Sequence, residues 1–205
     1  NTRRYGASLE KITKVVESRP GEIMFGLNMI VSKGKTVFIG DTSVHEYPSS
    51  EQLAEIAVSS ARVVRLFGFN PKVAFVSHST FGQPLTSRTK HIKNAVNILK
   101  EKNVDFKFDG DMQPDVALND EYKELYPFSE IVGNANILIM PGQHSAAISY
   151  KMMRELGGAK VIGPLLIGLG QPIEIAPLRS STSDILNLAS VAAYSAGIIN
   201  YNKKN

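Results

Sequence analysis

The sequence predicts an α/β fold with a mainly parallel sheet and helices on both faces. Short runs rich in β-branched and aromatic residues alternate with runs whose apolar positions recur at helical spacing. The run at 72–77 (KVAFVS) is apolar almost throughout, as a buried parallel strand is. The spacings between strands leave room for crossover helices, which parallel neighbours need.

A helical pattern is predicted at 7–16. Residues 23–31 (IMFGLNMIV) and 36–40 (TVFIG) read as strands around a Lys33-Gly34-Lys35 turn. Ser49 stands three residues before Gln52, the spacing of a capping box. It opens a helix whose apolar positions Leu53, Ile56, Ala57, Val63, Val64 and Phe67 recur until Gly68 stops it. After the 72–77 strand come a helix at 87–100, strands at 105–108 and 137–140, and a helix at 146–156 ending at Gly157-Gly158. Short strands near 161–162 and at 173–175 precede a last helix at 182–201. In that helix Ile185, Leu186, Leu188, Ala189, Val191, Ala192, Ala193, Ile198 and Ile199 cover too much of the circumference for a lone surface helix. It is expected to pack in a dimer or higher homo-oligomer, or against a further segment.

At 205 residues and 43% hydrophobic content, the chain can bury a substantial core. No stretch approaches the ~18 uncharged apolar residues of a membrane helix, and no signal peptide pattern opens it, so a soluble, cytoplasmic protein is expected. The lack of cysteine removes disulfides, thiolate metal sites and a cysteine nucleophile together. Net charge is +4. The densest basic group, Lys90, His91, Lys93, Lys100, Lys102 and Lys107, falls on a predicted helix and its exit, where a solvated face explains it. No reader motif or aromatic interleaving points to nucleic acid, while a phosphate-rich small ligand stays compatible. With Asn1 first and a helical pattern starting almost at once, the sequence reads as a piece of something longer.

In open α/β sheets ligands sit beyond the carboxyl ends of the strands. Four loops there are polar: Asp41-Thr42-Ser43, His78-Ser79-Thr80-Phe81-Gly82, Asp109-Gly110-Asp111-Met112-Gln113 and Pro141-Gly142-Gln143-His144-Ser145. Asp109-x-Asp111 resembles the start of a calcium loop, but Pro114 stands where that loop needs glycine. His45, His78, His91 and His144 have no metal-ligand spacing, so no metal site is predicted. Ser77-His78-Ser79 lacks the turn of a nucleophile elbow, and Gly163, Gly168 and Gly170 do not form a dinucleotide fingerprint. In IEIAPLRSSTSDILN (173–187), Ser181 lies three residues before Asp184. Their residues alone read as a helix N-cap, the serine oxygen taking a backbone N–H and the aspartate returning the bond.

Several strings together resemble the phosphate acetyltransferase family, and most of all its variant at the C-terminus of bacterial hybrid NADP-dependent malic enzymes. They are FIGDTSVHEYPSSEQLAEIA, KVAFVSHSTFG, DFKFDGDMQPDVALN, the run from ELYPFSEIVGNANILIMPGQHSA to KVIGPLLIGL, and SDILNLASVAAYSAG. The resemblance implies an isocitrate/isopropylmalate dehydrogenase-like fold truncated at the N-terminus. Residues 1–20 would be a remnant of the first subdomain, 21–165 the central α/β subdomain, and 166–205 a segment returning to the first.

In the family's true transferases an aspartate takes the thiol proton of coenzyme A, and a Ser-Arg pair six to seven residues earlier orients and neutralises phosphate. Aligned on Asp184, that pair falls on Pro177 and Leu178, which offer neither hydroxyl nor charge. Ala146-Ala147 also replaces the Gly-Asn of the transferases. The resemblance therefore implies a regulatory, oligomerising domain that binds acetyl-CoA as an effector and carries no catalytic residue; NADP and a divalent metal would belong to the malate-oxidising part. Pocket candidates are Asp41, Thr42, Ser79, Thr80, Arg179 and Asp184. A working transferase, with Arg179 serving phosphate and Asp184 the thiol, is the alternative, and a purely structural oligomerisation module is a third.

Overall fold

The computed structural model describes residues 5–204, without the side chains of Arg88 and 198–204. Helix α1 (Tyr5–Thr13) precedes a hairpin of β1 (Phe25–Ser32) and β2 (Lys35–Gly40). Lys33 and Gly34 both take positive φ, 48° and 75°, so two residues reverse the chain with the twist that a hairpin requires.

Helix α2 (Ser50–Leu66) follows, and the capping box at its start is formed: Gln52 N–H donates to Ser49 Oγ at 3.2 Å, and Ser49 N–H to Gln52 Oε1 at 2.8 Å. Strand β3 (Lys72–Val76) leads to α3 (Ser87–Glu101), whose N-cap Thr86 makes the same reciprocal pair with Thr89. Then come β4 (Lys107–Met112), the short α4 (Pro114–Leu118), a 3₁₀ turn (Asp120–Glu124), β5 (Ile137–Ile139), α5 (Gln143–Gly157), β6 (Lys160–Ile167) and α6 (Thr182–Lys204).

The six strands lie in the order β4-β3-β5-β2-β1-β6. The pairs β2–β5, β5–β3 and β3–β4 are parallel, while β1 runs against both β2 and β6. Only β1 is therefore reversed. Alternation along β3 splits the core in two. Val73 and Phe75 join Phe25, Leu27, Phe38, Ile137 and Ile139 under α2 and α3. Ala74 and Val76 join Ile30, Ile39, Leu138 and Met140 on the opposite face, with Val116 of α4 and Ala146 of α5. The sheet is thus covered by helices on both sides.

A third cluster ties the start of the chain to the stretch after β6. Tyr5, Leu9, Ile12 and Val16 pack on Leu166, Leu169 and Ile175. Backbone bonds from Arg19 N to Gly168 O (2.8 Å) and from Gly170 N to Glu17 O (2.9 Å) stitch the same seam.

Some predicted elements move. The strand expected at 105–108 is displaced to β4, because the register with β3 runs from Lys107 to Met112. The helix expected at 146–156 starts at Gln143, since Gly142 already serves as its N-cap. No strand forms at 173–175. Ile173 and Ile175 keep the alternation of a strand, but both turn to the third cluster, and no neighbouring strand is there to pair with them. Among the described residues no helix is long and apolar enough to cross a membrane.

Candidate functional site

Asp41 and Thr42 leave the end of β2 and are buried. Asp41 Oδ1 accepts from the N–H groups of Gly26 (2.9 Å), Ser43 (2.8 Å) and Val44 (3.1 Å), and Oδ2 accepts from His45 N (2.7 Å) and faces His45 Nδ1 at 2.7 Å. A carboxylate so saturated organises its own loop. Thr42 Oγ1 donates to Asn28 Oδ1 at 2.8 Å. Gly26 is required beneath them, because a Cβ there would come within 2.5 Å of Ser43 Oγ.

Ser79 and Thr80, after β3, are buried as well. The Ser79 hydroxyl donates to Asp111, whose other oxygen accepts Gly82 N–H at 2.9 Å, and Thr80 Oγ1 accepts Gln113 N–H at 3.2 Å. The loops after β3 and β4 are bolted together by these bonds. Three of the four histidines act similarly. His45 faces Asp41, His91 lies 2.8 Å from Pro48 O and 3.0 Å from Ser50 Oγ, and His144 lies 2.9 Å from Glu46. Among the described residues no three metal-ligating side chains converge.

Arg179 and Asp184 lie elsewhere, on a cleft of about 450 Å³ between α5, the start of β6 and the segment entering α6. Tyr150, Lys151 and Arg154 of α5 form one wall, Lys160 to Pro164 the floor, and Pro177 to Ser180 with Asp184, Asn187 and Leu188 the other wall. Asp184 is engaged. Its Oδ2 accepts from Ser181 N (2.9 Å) and Ser181 Oγ (2.8 Å), while Ser181 Oγ accepts Asp184 N–H at 3.2 Å. This is the N-cap of α6 that the Ser181…Asp184 spacing predicts. The Ser181 N–H and hydroxyl hold the Asp184 carboxyl below the ordinary aspartate range, opposed by slight desolvation and aided by the charges of Arg154 and Lys160.

The six predicted pocket residues thus fall into three groups: Asp41 with Thr42, Ser79 with Thr80, and Arg179 with Asp184. Only the last pair lines this cleft. Lys151, Arg154 and Lys160 line it too but are not among the residues to which the sequence points. Their one signal is that Lys151 and Arg154 are three residues apart on a predicted helix. That the 177–188 segment folds across this face could not be read from spacing.

A six-stranded sheet of this order, with a cleft where the chain returns after its last strand, is the architecture that the chain shares with solved phosphotransacetylases. Residues 1–193 match the family described as Phosphate acetyl/butaryl transferase, and the chain belongs to it. Within the family it is similar to part of an NADP-dependent malic enzyme of Rhizobium meliloti, 45% identical over 196 residues, covering 96% of this chain and 26% of that protein. It is also 32% identical to the phosphate acetyltransferase of Bacillus subtilis over 185 residues, 89% of this chain and 57% of that one. A phosphotransacetylase structure from Streptococcus pyogenes superposes with a TM-score of 0.88 at 29% identity, over 95% of this chain and 60% of that chain. The chain spans only part of each relative, about a quarter of the malic enzyme's length.

Proposed function

We propose that this chain is a regulatory, oligomerising domain of an NADP-dependent malic enzyme, one that binds acetyl-CoA and does not transfer its acetyl group. The observation that carries this is the state of the cleft. Pro177 and Leu178 line it where the family resemblance puts a serine and an arginine. Beside them, Asp184 is held by Ser181 and made a weaker base. A coenzyme thiol has a pKa near ~8.5, and a base lowered from the ordinary carboxylate range is further from matching it. Loss of one preorganised donor to a developing charge costs ~10²- to 10³-fold in rate, and here two are replaced.

Regulation requires acetyl-CoA to favour one of two states of the whole assembly, since equal binding shifts nothing. The test is malate oxidation by the full-length protein with and without acetyl-CoA, run beside an assay for acetyl phosphate formed from acetyl-CoA and phosphate. Inhibition without acetyl phosphate is expected. Steady turnover to acetyl phosphate overturns the reading. A second reading, an active phosphate acetyltransferase, is favoured by the presence of Arg179 on the same cleft as Asp184. It predicts turnover that Arg179→Ala abolishes.

A further inference from the structure

Three aromatic rings meet at the surface where the loop after β3 approaches the segment between the 3₁₀ turn and β5. Between ring centres, Phe81 lies 4.8 Å from Phe128 and 5.3 Å from Tyr126, and Tyr126 and Phe128 are 6.2 Å apart. Phe81 and Tyr126 pack on the core beneath, whereas Phe128 is 69% exposed and Leu125 67%. The trio is held in place. Phe81 has a φ of 52°, a left-handed conformation that a bulky side chain rarely takes. Its N–H donates to Asp111 O at 2.6 Å, and Gly82 N–H donates to Asp111 Oδ1 at 2.9 Å. An aromatic base anchored in this way, with large apolar side chains standing above it, has little ordering left to lose on binding.

The rim of this patch is acidic. Between Pro114 and Glu130 stand five carboxylates, Asp115, Asp120, Glu121, Glu124 and Glu130, against the single cation Lys123, in a chain of net charge +4. Lys123 pairs with Asp120, Lys107 pairs with Glu130, and Tyr122 Oη donates to Asp115. Among the described residues the Glu121 carboxylate meets only the neutral Asn119 amide, at 3.0 Å, and Glu124 meets no cation. A second copy seated by two-fold symmetry through the same patch would set acidic rim against acidic rim. The complementary occupant is a basic surface with an apolar centre.

We infer that Phe81, Tyr126 and Phe128, with Leu125, form a docking surface for a basic, apolar-centred face of the polypeptide outside these 205 residues. The inference rests on the reading of this chain as part of a longer malic enzyme. In the Rhizobium meliloti relative the matched region is 26% of the protein, so about three-quarters of such a polypeptide is there to supply that face. Phe128 and Leu125 enter it as anchors, and Glu121 and Glu124 meet its lysines or arginines at the rim. The rim charges are exposed, so salt weakens the contact.

Photochemical cross-linking of the full-length protein tests this, with Leu125 replaced by a benzophenone-bearing side chain that couples to whatever covers it. Coupling to a segment outside residues 1–205 is expected. Glu121→Lys with Glu124→Lys lowers its yield about tenfold, as does Phe128→Ser, while Glu10→Lys with Glu101→Lys, an equal change of charge on α1 and α3, alters it little. Coupling within residues 1–205 of a second copy, coupling to nothing, or a yield that ignores both patch variants overturns the inference. Malate oxidation with and without acetyl-CoA is measured on the same protein. Charge-dependent coupling in a protein that acetyl-CoA does not inhibit supports the docking surface and removes the regulatory reading; inhibition without coupling overturns the docking surface and leaves that reading standing.

Discussion

Glu174 illustrates how one residue is placed by its neighbours. Ile173 and Ile175 are drawn into the cluster beneath α1, and the glutamate between them is carried into the interior. Its carboxylate accepts the Leu166 N–H at 2.9 Å. Desolvation pushes its pKa from 4.5 up to about 8, outweighing that one hydrogen bond. The same burial raises the Tyr5 phenol, to which Glu174 adds its charge. Between pH 4.5 and about 8 the folded chain keeps a proton that the unfolded chain has released. The stability this confers is complete below the unfolded value and is lost as pH rises through the folded one, at no more than ~1.4 kcal/mol per pH unit. Urea denaturation across this window should show stability falling with pH, and Glu174→Gln should flatten the slope. Asp41 is buried too, but four backbone N–H groups donate to its carboxyl.

Among the elements, α5 depends on a close approach at its first turn. A Cβ on Gly142 would lie 2.4 Å from Glu46 O, so alanine there must push away the loop that leaves β2. Gly142→Ala is expected to destabilise the fold by about 1–3 kcal/mol, measurable as a lowered midpoint in denaturant. Elements with strong local signals were legible in the sequence. The capping box of α2 and the Lys33-Gly34 turn are local chemistry, and they form where the residues dictate. The alternation at 173–175 was legible too, but pairing depends on a partner strand that spacing cannot reveal. The candidate site was legible in part for the same reason. Asp184 as a cap is a local fact, whereas the meeting of Lys160 with Arg154 and Arg179 requires knowing how β6 and the following segment pack on α5.

At the scale of the whole molecule, α6 presents Ile185, Leu186 and Tyr194 at 52%, 66% and 55% exposure, while Leu188 alone among its described apolar residues is fully buried. Ile198 and Ile199, expected to extend this face, have side chains outside the described residues. A helix this apolar and this open is expected to be covered in the working protein by a second copy of the chain. Light scattering on the full-length protein should find a dimer or larger assembly, and Leu186→Asp should shift it towards monomer. Among the described residues, the outermost strands of the sheet, β4 and β6, pair on one side only. Lys107 and Asp109 put charge along β4, and Pro164 deletes an amide from β6. Both borders are thereby made poor templates for stray extended peptide, which guards the sheet against edge-to-edge pairing.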